Sequence, residues 1–209
     1  MGTKERRERE RQEVRGLILD AARELFATAG YEAVTMRRVA EKIEYSPTAI
    51  YLHFKDKQEL LAELCRTDFL SLAQAFQRIA RVTDPIERIR RIGLAYVKFA
   101  QEHPHHYRLM FMTPAPEAVT DPDKQGKGNP EQDAYAFLRL AVQQAMADGR
   151  LRRELDDADL VTQTAWAGVH GVISLHLALG NSPWVPWRSL KRSAESMIDV
   201  ITRGIERAK

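Results

Sequence analysis

Residues 35–57 read TMRRVAEKIEYSPTAIYLHFKDK, and this stretch decides the fold of the N-terminal part of the chain. Thr35 is a suitable cap for a short helix, and the pair Ser46-Pro47 is a strong start signal for a second one. Apolar residues at inward-facing spacings occur in both helices: Val39, Ala40 and Ile43 in the first, and Ile50 and Phe54 in the second. The stretch therefore predicts two short helices joined by a tight turn.

The second short helix has an outer face that suits DNA. Ile50 and Phe54 are four residues apart and predict the buried face, which leaves Thr48, Tyr51 and Leu52 facing outward. A short helix with a polar and aromatic outer face fits the DNA major groove, which is about 12 Å wide. The run Tyr-Leu-His-Phe at helical spacing is also compatible with ordinary core packing.

The rest of the chain shows helical spacing nearly throughout. Apolar residues within 14–29 recur at steps of three and four and predict a helix that ends at Gly30. The charged residues before it form a frayed arm or a solvated extension of that helix. Start and stop signals predict further helices over residues 57–81, 85–102, 105–112, 130–148, 156–179 and 186–207, with a proline-containing loop over 113–130.

These patterns define the expected fold class and domains. The sequence contains no alternating strand pattern and no internal repeat. We therefore expect an all-α fold of about nine helices. We predict a three-helix head over residues 1–57 that is joined to a larger helical bundle over residues 58–209.

The composition places few limits on function. The chain has 209 residues, with 32 Lys and Arg against 29 Asp and Glu, and its net charge of +3 does not by itself establish a nucleic-acid partner. A single cysteine, Cys65, excludes an intramolecular disulfide. Residues 1–15 lack the apolar core of an export signal, and no apolar stretch reaches the roughly 20 residues that cross a bilayer. We therefore expect a cytoplasmic protein with no membrane partner.

Residues 46–61, SPTAIYLHFKDKQELL, resemble the DNA-binding region of TetR-type transcriptional regulators. The motif TMRRVA at residues 35–40 and the amphipathic first helix belong to the same resemblance, which covers about residues 10–65. It implies a homodimer that binds double-stranded operator DNA through its helix-turn-helix. It also implies a C-terminal bundle that binds a small, largely apolar effector. The function implied is a repressor that the effector releases from its operator.

The resemblance also implies roles for single positions. Thr35, Tyr51, His53 and Lys57 match positions that hold phosphates, Arg37 matches one that reaches a base edge or a phosphate, and Ser46, Pro47, Thr48, Ala49 and Leu52 complete the predicted DNA-binding set. Two positions depart from the family pattern. Glu44 stands at a turn position often held by glycine, where a positive φ costs on the order of 1 kcal/mol. Leu52 stands where an aromatic or polar residue is common.

The C-terminal part carries a second, shorter resemblance. Residues 166–171, WAGVHG, look like the Trp-x-x-x-His-Gly signature of one C-terminal subclass of the family. The predicted effector pocket comprises Phe69, Phe76, Tyr96, Phe99, Tyr107, Met110, Phe111, Trp166 and His170. The predicted dimer contact on the last two helices comprises Gly168, Gly171, Leu175, Ala194, Met197, Ile198, Ile201 and Ile205. Each of the pocket residues alone is more often part of an ordinary core. The stripe on the last helix is also compatible with packing inside one subunit.

Other functions have weaker support. His103, His105 and His106 flank Pro104, but no matching carboxylate or cysteine spacing accompanies them, so we expect a surface cluster and no metal. The sequence lacks the Gly-x-Ser-x-Gly, His-Glu-x-x-His and dinucleotide-binding patterns, and we expect neither enzyme activity nor a cofactor. The alternative to a ligand-responsive repressor is a nucleoid or ligand-storage type of DNA-binding protein without a specific operator.

Overall fold

The computed structural model describes residues 3–113 and 126–208, which are helical apart from short connections. The predicted all-α fold is confirmed over these residues, where the structure contains no β-strand beyond one isolated bridge between Leu151 and Glu206. The described helices are α1 (Thr3–Ala29), α2 (Met36–Lys42), α3 (Pro47–Tyr51), α4 (Lys57–Gln77), α5 (Pro85–Glu102), α6 (Pro104–Phe111), α7 (Ala134–Ala147), α8 (Ala158–Leu179) and α9 (Leu190–Ile205). None of them is long and apolar enough to cross a membrane.

The helix starts near residues 35 and 46 follow from side-chain caps. The Thr35 side chain accepts a hydrogen bond from the Arg38 backbone N–H at 3.2 Å, and the Ser46 hydroxyl accepts one from Ala49 at 3.3 Å. Both caps supply an acceptor to a backbone donor that has no partner within the helix. The two predicted starts are confirmed, and α3 ends at Tyr51.

The start of α7 differs from the prediction because a competing turn comes first. The Asn129 side chain accepts from the Glu131 backbone N–H at 3.0 Å and closes a local turn, so the Asn-Pro pair does not begin the helix. Asp133 provides the cap instead, accepting from Tyr135 and Ala136. Most of the predicted loop over residues 113–130 lies outside the described residues.

The N-terminal charged segment is the first part of α1, which begins at Thr3. The side chains of residues 4–13 are all exposed. This agrees with the solvated helix extension, one of the two alternatives that the sequence left open.

Two compact units make up the chain. The first contains Met1–Asp68 and His105–Asp121, and the second contains Phe69–Pro104 and Pro122–Lys209. The boundary between units therefore falls within α4, later in the chain than residue 57. The functional division at residue 57 stays a prediction, because compactness alone does not assign function.

A buried ion pair links α1, α4 and α6 in the first unit. Asp68 on α4 is 1% exposed, and its carboxylate accepts hydrogen bonds from Arg23 Nε on α1 at 3.0 and 3.1 Å. Nδ1 of His106, on α6, lies 3.0 Å from Asp68 Oδ1. Arg23 Nη1 also donates to Asp20 at 2.7 Å. A single buried carboxylate thus contacts side chains from α1 and α6.

The second unit is a bundle of α5, α7, α8 and α9. Its core contains Ile92 from α5, Ala141 from α7, Ile173 from α8 and Ile198 from α9, all of them buried. Helix α9 packs against both α5 and α8. Close approach is possible because glycine occurs at both contacts, Gly93 on α5 and Gly168 on α8.

Candidate nucleic-acid interface

The helix-turn-helix segment separates its buried and exposed faces as the spacing predicts. Ile50 is fully buried and Phe54 is 1% exposed, so both anchor α3 to the core of the first unit. Tyr51 and Leu52 are 55% and 73% exposed. Large side chains that remain in solvent on a short, well-capped helix are available to an external partner.

The hydroxyl groups of the two capping residues, Thr35 and Ser46, can still donate a hydrogen bond to a partner outside the helix. Thr35 and Ser46 use their side-chain oxygens to accept from backbone N–H groups. A hydroxyl can accept and donate at the same time. Each cap can therefore donate its O–H to a phosphate oxygen without losing its structural bond.

The two cations near this segment, Arg37 and Lys57, differ in how firmly their neighbours hold the side chain. Arg37 is exposed and forms an ion pair with Glu41 on the same helix at 2.9 Å. A surface ion pair of this kind costs little to break. Lys57 Nζ donates to the Tyr31 carbonyl at 3.0 Å and lies 4.0 Å from the centre of the Tyr31 ring. The ring and the carbonyl fix the direction of the Lys57 ammonium and leave it further donors for an anion.

His53 differs from the nearby cations in the charge of its side chain. Burial, followed by the charges of Arg11 and Arg15, holds the pKa of His53 below its usual value near 6.5. The side chain is therefore neutral at physiological pH. Its Nδ1 is buried and has no hydrogen-bond partner among the described atoms. In the free protein, His53 therefore adds no positive charge to this surface.

Two exposed side chains beside α3 were not selected from the sequence. Tyr45 precedes the Ser46 cap and is 41% exposed, and Lys55 is exposed immediately after Phe54. They could have been selected by residue type, because an aromatic residue and a cation flank α3 in the sequence. Both extend the exposed polar and aromatic surface next to α3.

The turn between α2 and α3 contains a left-handed residue. Glu44 has a φ of 59°, a conformation that residues other than glycine seldom adopt. Its backbone N–H donates to Glu41, and the next residue, Tyr45, donates to Ala40. The residue that replaces the family's usual glycine, Glu44, therefore holds a strained backbone conformation.

Replacing Glu44 with glycine is expected to stabilise the protein by about 1 kcal/mol, because glycine adopts the left-handed conformation without a Cβ clash. Urea unfolding measured by circular dichroism gives the change in free energy. Glu44→Ala is the matched control, since it removes the same carboxylate but keeps the Cβ atom. Equal stabilisation by both variants would assign the effect to charge and not to the backbone.

In the second unit, the structure brings together three of the predicted pocket residues. Trp166 Nε1 donates to the Tyr96 hydroxyl at 3.1 Å, and that hydroxyl lies 3.1 Å from His170 Nδ1. His170 Nε2 lies 3.0 Å from the Ser174 hydroxyl. Burial lowers the pKa of His170, so the ring is neutral at pH 7. The result is a hydrogen-bonded chain from α5 to α8.

The other predicted pocket residues occur in both units. Phe76 packs near Phe137 with ring centres 6.1 Å apart, and Phe99 lies 5.2 Å from His103. These residues belong to the second unit, as does Phe69, whereas Tyr107, Met110 and Phe111 belong to the first. Tyr107 and Phe111 contact each other with ring centres 5.0 Å apart. The assignment of this set to an effector stays a prediction.

The predicted dimer residues fall into two groups. Ala194 is fully buried and Ile198 is 3% exposed inside the protomer, and their part in a contact with a second chain stays a prediction. A Cβ atom on Gly168 would lie 2.9 Å from Ile201 Cδ1, so this glycine serves α8–α9 packing within the chain. Leu175 is exposed, Gly171 has open space beside it, and Met197, Ile201 and Ile205 are half-buried.

The three predicted surface histidines do not form a common site. His103 packs against Phe99 with the two rings tilted, His105 is exposed and His106 lies beside Asp68. Within residues 3–113 and 126–208, no group of three or more His, Cys, Asp or Glu side chains is placed to hold a metal.

Two family models match the chain. One, described as bacterial regulatory proteins of the tetR family, matches residues 18–64. The other, described as the C-terminal domain of tetracyclin repressor-like proteins, matches residues 89–201, more than half of the chain. The first match contains the whole α2–α3 segment.

Curated relatives with sequence similarity are transcriptional regulators. The transcriptional activator FasR of Mycolicibacterium smegmatis is 32% identical over 113 residues, which are 54% of this chain and 50% of that protein. The chain's match thus spans half the length of FasR. The transcriptional repressor KstR2 of the same organism is 29% identical over 158 residues, covering 73% of this chain and 76% of KstR2.

A solved structure supports the fold. The TetR family regulator PfmR of Thermus thermophilus superposes with a TM-score of 0.69 at 24% identity, covering 91% of this chain and 96% of PfmR.

Proposed function

Because the chain belongs to the TetR family of bacterial regulatory proteins, we propose that it is a repressor that a small effector releases from its operator. The protein is a DNA-binding transcriptional regulator; the direction of its control, its dimeric state and its effector are the proposal. The observation that carries the proposal is the capped α3 helix, with Ile50 buried and Tyr51 and Leu52 in solvent.

In the proposed complex, α3 enters the major groove. Thr48 and Ala49, near the start of α3, contact bases, and the Thr48 and Ala49 methyl groups suit thymine methyls. Thr35, Tyr51 and Lys57 hold phosphates, and Arg37 reaches a base edge or a phosphate. A homodimer presents two such helices to half-sites about 34 Å apart.

Specific contacts must carry most of the affinity, because the head has little net charge. Residues 1–57 contain 12 Lys and Arg and 10 Asp and Glu. A surface of this kind lacks the strong unspecific attraction of a basic patch. A few placed side chains, doubled by the second subunit, supply the binding energy in this proposal.

The effector site is proposed around the hydrogen-bonded chain of Tyr96, Trp166 and His170. Aromatic side chains with a few polar groups are typical of pockets for largely apolar molecules. The spacing of Trp166 and His170 supports the proposed Trp-x-x-x-His-Gly subclass, and their hydrogen bonds to one tyrosine give that spacing a physical reason. An effector that binds one arrangement of the bundle better shifts the protein toward it and weakens operator binding.

Operator binding is tested by fluorescence polarisation with DNA from upstream of the protein's own gene and with a shuffled duplex of equal length. We expect at least about 1,000-fold tighter binding to the natural sequence at physiological salt. Equal affinity for both duplexes at several salt concentrations would instead identify a nucleoid type of protein. Transcription in vitro from that promoter should fall when the protein is added, and a rise would identify an activator.

A further inference from the structure

The charged first half of α1 carries its cations and most of its acids on different sides of the helix. Four cations follow one another at steps of three and four residues and are here called the cationic stripe: Lys4, Arg7, Arg11 and Arg15. Side chains at this spacing lie on one side of a helix. Glu5, Glu10 and Glu13 lie on the other sides. The mixed composition of this segment therefore hides a cationic side.

The three outer cations of the cationic stripe face the solvent. Lys4, Arg7 and Arg11 are exposed, and no ion pair joins any of them to an acid of the residues that the structure describes. The acid that borders the stripe, Glu8, accepts a hydrogen bond from Gln12 at 2.8 Å. A row of exposed cations without acid partners creates a positive potential that attracts an external anion.

The inner end of the stripe is fixed beside the helix-turn-helix. Arg15 Nη2 lies 2.9 Å from Glu63 on α4, and the central guanidinium carbon of Arg15 lies 5.0 Å from the centre of the Phe54 ring. Burial and then the charges of Arg11 and Arg15 lower the pKa of His53, so both arginines lie near that side chain. The stripe therefore begins next to the candidate nucleic-acid interface and continues it along α1.

The length of the stripe suits a nucleic-acid backbone. From Lys4 to Arg15 the helix rises about 16 Å, at about 1.5 Å per residue. Each DNA strand carries one phosphate for about every 3.4 Å along its axis, so the stripe spans roughly five base-pair steps. A backbone presents its negative charges in an unbroken row, and long arginine side chains reach them without an exact match in spacing. An acidic protein partner would instead need carboxylates placed opposite each cation.

We propose that the cationic stripe of α1 binds the phosphate backbone of the operator next to the bases that α3 contacts. This rests on the proposed function, since the partner is the same DNA. The neutral His53 adds no charge where the stripe begins, whereas Arg7 and Arg11 present guanidinium groups that can each hold a phosphate through two N–H groups. Such contacts position each subunit on the duplex and read no sequence.

The test removes two charges from the stripe and, in a matched control, two charges from the opposite side of the same helix. Arg7→Gln with Arg11→Gln is the stripe variant, and Arg6→Gln with Arg9→Gln is the control variant. Both lower the net charge by the same amount within one exposed segment. Glutamine favours a helix about as well as arginine does, so melting by circular dichroism should agree for the two variants.

Fluorescence polarisation with the operator duplex over a range of salt concentrations measures the effect. We expect the stripe variant to bind at least about tenfold more weakly at physiological salt. The slope of its logarithmic affinity against logarithmic salt concentration should fall by about four, one for each of two contacts in each of two subunits. A shuffled duplex should lose affinity by the same factor, because phosphate contacts read no sequence. The control variant should change the slope by less than about one.

Three results would overturn the inference: an unchanged salt slope in the stripe variant, an equal loss of affinity in both variants, or a weakening caused by dissociation of the subunits, which sedimentation velocity detects. If the unaltered protein still prefers its operator to the shuffled duplex in these cases, only the stripe contact fails. An unaltered protein that binds both duplexes equally would contradict the proposed operator specificity. A fall in slope confined to the stripe variant would support the stripe contact even then.

Discussion

Asp68→Ala is expected to lower the free energy of unfolding by about 3–5 kcal/mol. The Asp68 carboxylate is 1% exposed and accepts two hydrogen bonds from Arg23, whose own side chain is 9% exposed. Alanine leaves the guanidinium buried with only the peripheral Asp20 as an acid partner. Desolvation of that charge is then no longer offset. Urea unfolding at fixed protein concentration, monitored by circular dichroism, measures the loss.

Two further variants separate this explanation from general damage to the fold. Asp199→Ala removes an exposed ion pair with Arg203 on α9 and should change stability by less than about 0.5 kcal/mol. The double variant Arg23→Met with Asp68→Leu replaces both buried charges by apolar groups and should recover most of the lost stability. A loss of less than about 1 kcal/mol in Asp68→Ala, or no recovery in the double variant, would contradict a buried ion pair of this importance.

Local sequence signals predicted the elements that local chemistry controls. The Thr35 and Ser46 caps each act within three residues of the cap itself, and the structure has both. The strained turn at Glu44 was visible for the same reason. It depends on one residue that stands where a glycine is often found.

Features that join distant parts of the chain were not predictable from spacing. Arg23 and Asp68 are 45 residues apart, and nothing in either segment indicates that they meet. The apolar stripe of α9 was visible, but only the packing against α5 and α8 shows that Ala194 and Ile198 lie inside the protomer. The start of α7 was misplaced because two turn signals lie within five residues, and the aspartate cap prevails over the Asn-Pro pair.

The candidate site combines both kinds of information. Periodicity was sufficient to place Ile50 inside and Tyr51 outside, because that decision needs only the geometry of one helix. It did not indicate that the Lys57 ammonium lies on the Tyr31 ring, 26 residues away. It also did not indicate that burial and two arginines keep His53 neutral. Contact positions were therefore predictable, whereas the charge and orientation of the contacting groups were not.

Tyr51→Ala is expected to weaken operator binding by about 100-fold while leaving the fold intact. Each lost hydrogen bond to a phosphate accounts for roughly a tenfold change, and the homodimer loses two of them. The side chain is 55% exposed in the free protein, so its removal creates no cavity in the core. Polarisation with the labelled operator duplex measures the dissociation constant, and melting by circular dichroism verifies folding.

Controls on this variant assign the loss to the proposed contact. Leu140→Ala truncates a side chain of similar exposure, 46%, on α7 and should bind the operator as the unaltered protein does. Because tyrosine is uncharged, Tyr51→Ala should keep the dependence of affinity on salt, whereas Arg37→Gln should reduce its logarithmic slope by about one for each subunit. Tyr51→Phe should lose nearly as much as alanine if the hydroxyl holds the phosphate. Operator binding by Tyr51→Ala within about threefold of the unaltered protein would remove α3 from the DNA interface, since it is too small a change for even one lost phosphate contact.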